Sequence, residues 1–584
     1  MIPRIAVVQL NPTPGDIAAN CRRMVDALSQ ARSRGAELVV FPEEAVTGYC
    51  IGDLNRNRML VRESLAAAEQ VLAPASHGLV AVVGLVAPEA NANLNDGAPG
   101  ARNAFLVLED GKIVGRGAKA LLVDDGVFYD SRYFLPAAAE DIRPVEVRLA
   151  TTGPFRLGIE ICHDMWDDFS KVRPSTLLAE RGAQLLVVIN SSPFWCRRHA
   201  QRVETARRRV AETGIALCYV NTCGVQDNGK NVILFDGGSF LLDERGHIAA
   251  RCPDFQDGVF LLPDDGAAAV PGAMSRAEEL FQALCFGLKG FFRRTGFSGA
   301  VLGLSGGIDS AVSACLLVTA LGRENVLALN MPTRFSSQTT QDCARELARR
   351  LGVEYVVHGI EEIVQRKKTF YEAVSGVPMK GLSFENVQAR ERGNVLMTWA
   401  QERGRLVIGN GNKTEFQRGY ATLYGDIVGA VMPLGDVAKT DIYRLARHIN
   451  MTQGNPIPDD ILTIPPSAEL SEAQDVTRGL GDPFDYDIEA PMGQEIIEQV
   501  RTPAELRSLF ESRALDPDLW APVRGDRPVY DKLTPDRFEQ YAWEVFRAIE
   551  ATTYKRIQAP PIIKVSAKAF GFDFRESVFA RLVP

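Results

Sequence analysis

The chain has 584 residues, 46% hydrophobic and 24% charged, enough apolar material for two large domains or several small ones. A net charge of −8 gives no electrostatic ground for nucleic-acid binding, and no apolar run reaches the roughly 20 residues that a membrane span needs. Ten cysteines without a C-x-x-C pair and six histidines without H-x-x-x-H point to reduced cytoplasmic thiols and away from a structural zinc site.

The opening ten residues are too short and wrongly flanked for a signal peptide, and residues 5–10 predict a first strand. Residues 17–34 predict an amphipathic helix, and 37–41 a second strand that ends at Pro42-Glu43-Glu44. Short strands follow at 79–86 and 104–108, with a hairpin signal at Asp110-Gly111-Lys112. Further strands are expected at 155–162, 184–190, 216–221 and 238–242. Continuous apolar strands alternating with helices predict an α/β fold whose sheets are largely buried. The clearest linker falls within 263–274, rich in turn formers and poor in packing capacity.

Three residues of this first half could converge from strand ends and loops: Glu43, Lys119 and Cys162. A thiol must lose its proton to attack a carbonyl, a carboxylate can take it, and an ammonium can stabilise the oxyanion that forms. Taken singly, each has a plainer reading, as a small core hydrophobe or a solvated charge. The surrounding segments are Phe41-Pro-Glu-Glu-Ala-Val-Thr-Gly-Tyr49, Lys119 with Gly126-Val-Phe128 beyond it, and Gly158-Ile-Glu-Ile-Cys-His-Asp-Met-Trp166. They resemble the nitrilase superfamily, most closely its glutamine-amidase branch. The resemblance implies an αββα sandwich with Glu43 as general base, Lys119 as oxyanion stabiliser and Cys162 as a thioester-forming nucleophile. It also implies that Ser192 and Arg198, in and after Asn190-Ser-Ser-Pro-Phe194, hold the glutamine. His163 beside the nucleophile is a bystander on this reading. Asp125 stands where the branch has a glutamine-contacting tyrosine, and Asp130 where it has a glutamate near the triad.

In the second half, residues 277–295 predict a helix, and the apolar run 301–304 a strand leading into Ser305-Gly306-Gly307-Ile308-Asp309-Ser310. A helical run at 311–321 follows. Glycines in such a turn let backbone N–H groups approach an anion, and a helix N-terminus adds partial positive charge. Ser305 and Ser310 add hydroxyl donors, while Asp309 can hold the loop or face a metal. The motif is neither G-x-x-x-x-G-K-[ST] nor G-x-G-x-x-G; it resembles the pyrophosphate loop of the N-type ATP pyrophosphatases. Strands are expected at 325–331, 354–358 and 406–410, with a helix at 341–351, which predicts a doubly wound parallel sheet.

The segments Glu385-Asn-Val-Gln-Ala-Arg-Glu-Arg-Gly-Asn394, Gly411-Asn-Lys-Thr-Glu415, Gly419-Tyr-Ala-Thr-Leu-Tyr-Gly-Asp426, Pro433-Leu-Gly-Asp-Val-Ala-Lys-Thr440, Pro465-Pro-Ser-Ala-Glu-Leu470 and Tyr554-Lys-Arg-Ile-Gln-Ala-Pro-Pro561 resemble NAD synthetase. With the amidase segments ahead of them, the whole chain resembles the glutamine-dependent NAD synthetase family. The implied division is an amidase domain at 1–262, a linker at 263–274 and a synthetase domain at 275–584. ATP would be held by Gly303, Leu304, Ser305, Gly306, Gly307, Ile308, Asp309 and Ser310, with Met331, Asn410, Lys439 and Ser467. Asn386, Arg390, Glu415 and Lys555 would contact deamido-NAD⁺, and Glu415 with Asp309 would bind Mg²⁺. The resemblance further implies an ammonia tunnel and homo-oligomers built on the synthetase domains. Asn410 replaces a threonine of the family pattern, and the tail at 572–576 lacks the usual paired arginines. These departures leave open an alternative, an ATP-dependent amidotransferase of the same build acting on a different carboxylic acid.

Overall fold

The computed structural model describes residues 2–89, 99–264, 274–525, 527–574 and 577–578. The expected linker falls largely at 265–273, and the tail reading partly at 575–576, which lie outside the described residues. The chain forms two units: residues 1–228 with 233–274, and 229–232 with 275–584.

The first unit holds two six-stranded sheets. In one, strands Gly258–Leu262, Ile5–Gln9, Leu38–Val40, Val80–Pro88, Ala101–Glu109 and Lys112–Ala118 are neighbours in that order. In the other the order is Ile248–Arg251, Phe240–Leu242, Leu217–Asn221, Leu185–Asn190, Gly153–Ile161 and Val145–Leu149. The central pairings of both sheets are parallel. Side chains alternate across each strand, so each apolar strand feeds two cores. Ile5, Val7, Leu38, Val40, Val80 and Val82 meet Leu157, Ile159, Ile161, Leu185, Val187 and Ile189 between the sheets. On the outer face of the first sheet, Ala6, Val8, Val39 and Ala81 pack on Ile17, Met24 and Leu28 of helix Ile17–Ser33. That helix is capped by Asp16, which accepts from the Ala19 N–H. On the outer face of the second sheet, Leu186, Val188 and Tyr219 pack on Val203, Ala206 and Val210 of helix Arg198–Thr213. The result is the expected αββα layering. Leu186 is wholly buried in the outer layer, so truncating it to alanine costs about 2–5 kcal/mol.

The second unit is built on a four-stranded, all-parallel sheet ordered Glu354–Val357, Val326–Asn330, Ala300–Gly303, Leu406–Ile408. The chain order reverses between the last two strands, which opens a crevice at their C-terminal ends. Helix Leu382–Glu402 lays Leu396 and Ala400 on one face of the sheet, over Val301, Leu327 and Val407. Helices Ile308–Leu321 and Gln338–Leu351 belong to the crossovers between the first three strands. A second core in this unit joins helices Tyr486–Glu498, Pro503–Glu511 and Pro535–Ala551 through Ile497, Leu506, Phe510 and Phe538. The predicted elements recur with shifted ends: the helix after the glycine turn begins at Ile308 rather than 311, and the fourth strand stops at Ile408. The helix starts earlier because Ile308, Asp309 and Ser310 fill its first turn, positions where no apolar period is visible. Among the described residues, no helix is long and apolar enough to cross a membrane.

Candidate active sites

Cys162 stands just past strand Gly153–Ile161 with φ at +49°, at the head of a single tight turn. Asp164 holds that turn, its carboxylate accepting from the N–H groups of Ile161, Ala120 and Leu121. Two of those bonds fall on the residues that follow Lys119, so one carboxylate positions both the nucleophile and the lysine segment. Glu43 follows strand Leu38–Val40 and has no exposure. Its Oε1 accepts from Lys119 Nζ at 3.1 Å and from Asn103 Nδ2 at 2.7 Å, and its Oε2 from the Ser191 N–H at 2.7 Å. Lys119 Nζ also meets Asp130 Oδ2 at 2.8 Å. Burial alone would lower the Lys119 pKa, but Asp130 and Glu43 outweigh it and hold the ammonium well above its usual range. Burial, and after it Glu43, pushes the Cys162 thiol far up, while Lys119 and Arg198 pull it down. The sulfur therefore rests as a thiol and needs a base at the moment of attack.

Arg198 is brought to the same site. Its guanidinium lies over Trp166 and Trp195, 4.2 and 4.1 Å from the ring centroids, and burial pulls its pKa down to about 10. Ser192 is buried, and its Oγ accepts from Arg202 Nε at 3.1 Å, while Arg202 Nη1 donates to both carboxylate oxygens of Asp236, at 2.7 and 2.8 Å. Asp125 is not brought to the cluster: it is exposed in a turn where its carbonyl accepts from the Phe128 N–H. The buried carboxylate of that stretch is Asp130. Burial, with Lys119, holds His163 below its usual range, so its imidazole is neutral. Glu44 has zero exposure, and neither carboxyl oxygen has a hydrogen-bond partner among the described residues. Burial, then Glu43 and Asp130, pushes it well above the glutamate range, so it keeps its proton.

In the second unit, strand Ala300–Gly303 opens into the turn and then into helix Ile308–Leu321. Ser305 Oγ accepts from the Gly307 N–H, and Ser310 Oγ donates to the Gly307 carbonyl. Gly306 has φ of +90°, and a Cβ there would lie 2.0 Å from the Thr340 carbonyl oxygen. A cavity of about 380 Å³ opens before this loop. Residues 303–310 line it, and so do Met331, Asn386, Asn410, Glu415, Lys439, Ser467 and Lys555. Arg390 does not; it is exposed, with its Nε donating to the Leu423 carbonyl, and Arg392 faces the cavity in its stead. Ser467 Oγ donates to the Gln474 carbonyl, and Lys555 Nζ to those of Gly419 and Ala421. Asn386 Oδ1 accepts from Thr422 Oγ1. Lys439 pairs closely with Asp309 and lies 3.9 Å from Glu415 Oε1. Burial, and then Asp309, pushes Glu415 well above its usual range, against Lys439.

Known proteins match along the same division. The carbon-nitrogen hydrolase family model covers residues 4–262 and the NAD synthase model residues 280–512. The glutamine-dependent NAD(+) synthetase of Synechocystis sp. is 34% identical over 98% of this chain and 97% of its own, and that of Rhodobacter capsulatus is 34% identical with the same coverage. The chain belongs to the glutamine-dependent NAD(+) synthetase family. The solved synthetase of Acinetobacter baumannii, in complex with ADP, superposes with a TM-score of 0.72 at 28% identity, covering 99% of this chain and 98% of that one. That of Cytophaga hutchinsonii shares the fold, with a TM-score of 0.78 at 20% identity over 97% and 95%.

In this synthetase the pair Asp309 and Glu415 fits a divalent cation: both offer hard oxygen donors at the cavity, and a second positive charge beside Lys439 would offset their repulsion. Sequence reasoning missed Asn103, Ser191, Glu44 and Arg202 in the first unit and Arg392 in the second. Asn103 carried a signal, an amide bordering the apolar strand run 104–108. Ser191 contributes to Glu43 through its backbone and its hydroxyl, which donates to the Glu43 carbonyl, and had none.

Proposed function

We propose that the first unit releases ammonia from glutamine and that the second uses ATP to activate the carboxylate of deamido-NAD⁺ and amidates it. Cys162 attacks the glutamine side-chain amide as Glu43 takes the thiol proton, and Lys119 stabilises the tetrahedral oxyanion. Collapse passes the proton to the departing ammonia and leaves a glutamyl thioester. Water, deprotonated by Glu43, then hydrolyses it to glutamate and returns the thiol. The observation that carries this reading is the fully buried Glu43–Lys119–Asp130 cluster, whose charges act on Cys162. Arg198 supplies a cation for the α-carboxylate, and Ser192, held by Arg202, shapes the same wall.

In the second unit, the deamido-NAD⁺ carboxylate attacks the α-phosphorus of ATP and displaces pyrophosphate, and ammonia then attacks the acyl-adenylate and displaces AMP. The backbone of 303–310 and the N-terminus of helix Ile308–Leu321 receive the phosphates, and Lys439 offsets their charge. Asn386, Lys555 and Glu415 are the contacts we assign to the acid substrate. When bound, Mg²⁺ would be held by Asp309 and Glu415 and would supply charge compensation to the departing pyrophosphate. Ammonia must travel to the second unit sheltered from water, since in neutral solution it is protonated and not nucleophilic. Cys21, Cys50, Cys162, Cys218, Cys285, Cys315 and Cys343 are free thiols, which supports a cytoplasmic setting. Ile363, Phe370 and Val374 are exposed along one stripe of helix Glu361–Ser375, which supports assembly through the synthetase domains.

The test is NAD⁺ and AMP formation by wild type and Cys162→Ala with glutamine or ammonium as donor. Ammonium should support both proteins and glutamine only the wild type. If neither donor yields NAD⁺ from deamido-NAD⁺ with wild type, the acid substrate is wrong; if the variant uses glutamine, Cys162 is not the nucleophile.

A further inference from the structure

The strand that launches the phosphate loop loses both neighbours just where it bends. On one side the ladder ends at Gly303 opposite Leu329, and on the other at Leu302 opposite Ile408. Beyond that point the Gly409 N–H turns away to the Val431 carbonyl. Successive strand carbonyls face opposite neighbours, so those of Gly303 and Leu304 would be left without donors on the two sides of the crevice, inside the protein.

Two side chains replace the missing ladder. Asn330, the last residue of strand Val326–Asn330, donates Nδ2–H to the Leu304 carbonyl at 2.8 Å. Asn410, two residues past strand Leu406–Ile408, donates Nδ2–H to the Gly303 carbonyl at 2.8 Å. Only the nitrogen end of an amide can face a carbonyl, so both orientations are set. Both Oδ1 atoms are buried without a hydrogen-bond partner among the described residues. A buried amide that leaves its oxygen unpaired is held for what its nitrogen does.

We propose that Asn330 and Asn410 form a two-sided clamp that fixes the entrance of the 303–310 loop before nucleotide arrives, which makes both of them positioning residues. Asn410 then serves ATP through the loop. The clamp explains why asparagine can stand at 410 in place of a hydroxyl residue: its longer side chain reaches the strand carbonyl. The Leu304 carbonyl shares a peptide plane with the Ser305 N–H, so the clamp sets the direction in which Ser305, Gly306 and Gly307 leave the strand. The proposal rests on the reading that this loop binds the ATP phosphates.

The experiment is amide hydrogen exchange on the full chain, with and without ATP, for wild type, Asn330→Leu, Asn410→Leu and the double variant, with the alanine variants made in parallel should leucine disturb folding. Without nucleotide, each single leucine variant should speed exchange at 304–307 by about tenfold, the worth of one buried hydrogen bond. The double variant should add less than the product of the two, because the first loss already frees the loop. Peptides covering 326–330, 406–408 and the first unit should be unchanged, and KM for ATP should rise more than kcat falls. Loop exchange at the wild-type rate in the variants, with ATP still protecting the wild-type loop, overturns the clamp and leaves the phosphate-loop reading standing. General acceleration through the sheet also overturns it. No protection of the wild-type loop by ATP overturns the phosphate-loop reading and the clamp with it.

Discussion

Gly306→Ala separates the two chemistries with one methyl group. A Cβ at this position would lie 2.0 Å from the carbonyl oxygen of Thr340, in the first turn of helix Gln338–Leu351. That oxygen is backbone and cannot rotate aside, so the loop must retreat by roughly 1 Å, and misplacement of that size costs about 10²-fold in rate. The φ of +90° adds about 1–2 kcal/mol of local strain for alanine. The assay is NAD⁺ formation from ammonium, ATP and deamido-NAD⁺, with glutamine hydrolysis measured on the same preparation. We expect kcat/KM for ATP to fall by about 10²-fold or more, while the Cys162 site still consumes glutamine. A variant that turns over ATP at the wild-type rate would refute the argument, because the loop would then tolerate a displacement that its role as a phosphate cradle forbids.

Asp130→Asn removes a charge 2.8 Å from Lys119 Nζ inside a cluster without solvent; it should destabilise by about 3 kcal/mol, abolish most glutaminase turnover and leave ammonium-driven synthesis intact, as chemical unfolding and the two assays would read. Glu44 holds in the native state a proton that the unfolded chain releases above the ordinary glutamate range. The stability it contributes is full below that range and is lost as pH rises toward the folded value. Glu44→Gln should therefore raise the thermal midpoint over wild type at alkaline pH, and the two midpoints should converge in acid; a constant gap at every pH would refute this. Arg202→Met leaves Asp236 buried without its ion-pair partner and should cost about 3–5 kcal/mol, with KM for glutamine rising as Ser192 loses its donor.

The strands that carry the chemistry were the most legible part of the sequence, since residues 5–10 and 185–190 are buried on both faces and read as nearly continuous apolar runs, and 157–162 continues the same pattern past the exposed Arg156. The edge strand Val145–Leu149 escaped because its exposed Glu146 and Arg148 break the run. The helices at 486–511 and 535–551 pack into a core whose apolar positions are spread through unfamiliar sequence, and they were not predicted. Of the candidate sites, Glu43, Lys119, Cys162, Arg198 and the loop 303–310 were read from motifs, and so were Asp125 and Arg390, which lie away from them. Asp130, noted only as a substitution, proves to be the second carboxylate on Lys119. What remained hidden were supports whose role depends on which backbone arrives beside them, such as Ser191 at Glu43 and Asn330 at the Leu304 carbonyl.

The left-handed backbone at Cys162 has a consequence for how this position can drift. A residue with a side chain is penalised there by roughly 1–2 kcal/mol relative to glycine, so relief of backbone strain in Cys162→Gly offsets part of the packing lost from the core, in a protein with no capacity to form a thioester. A thiol at a turn where the main chain disfavours any side chain marks a point at which packing and chemistry together hold this chain against its own conformational preference.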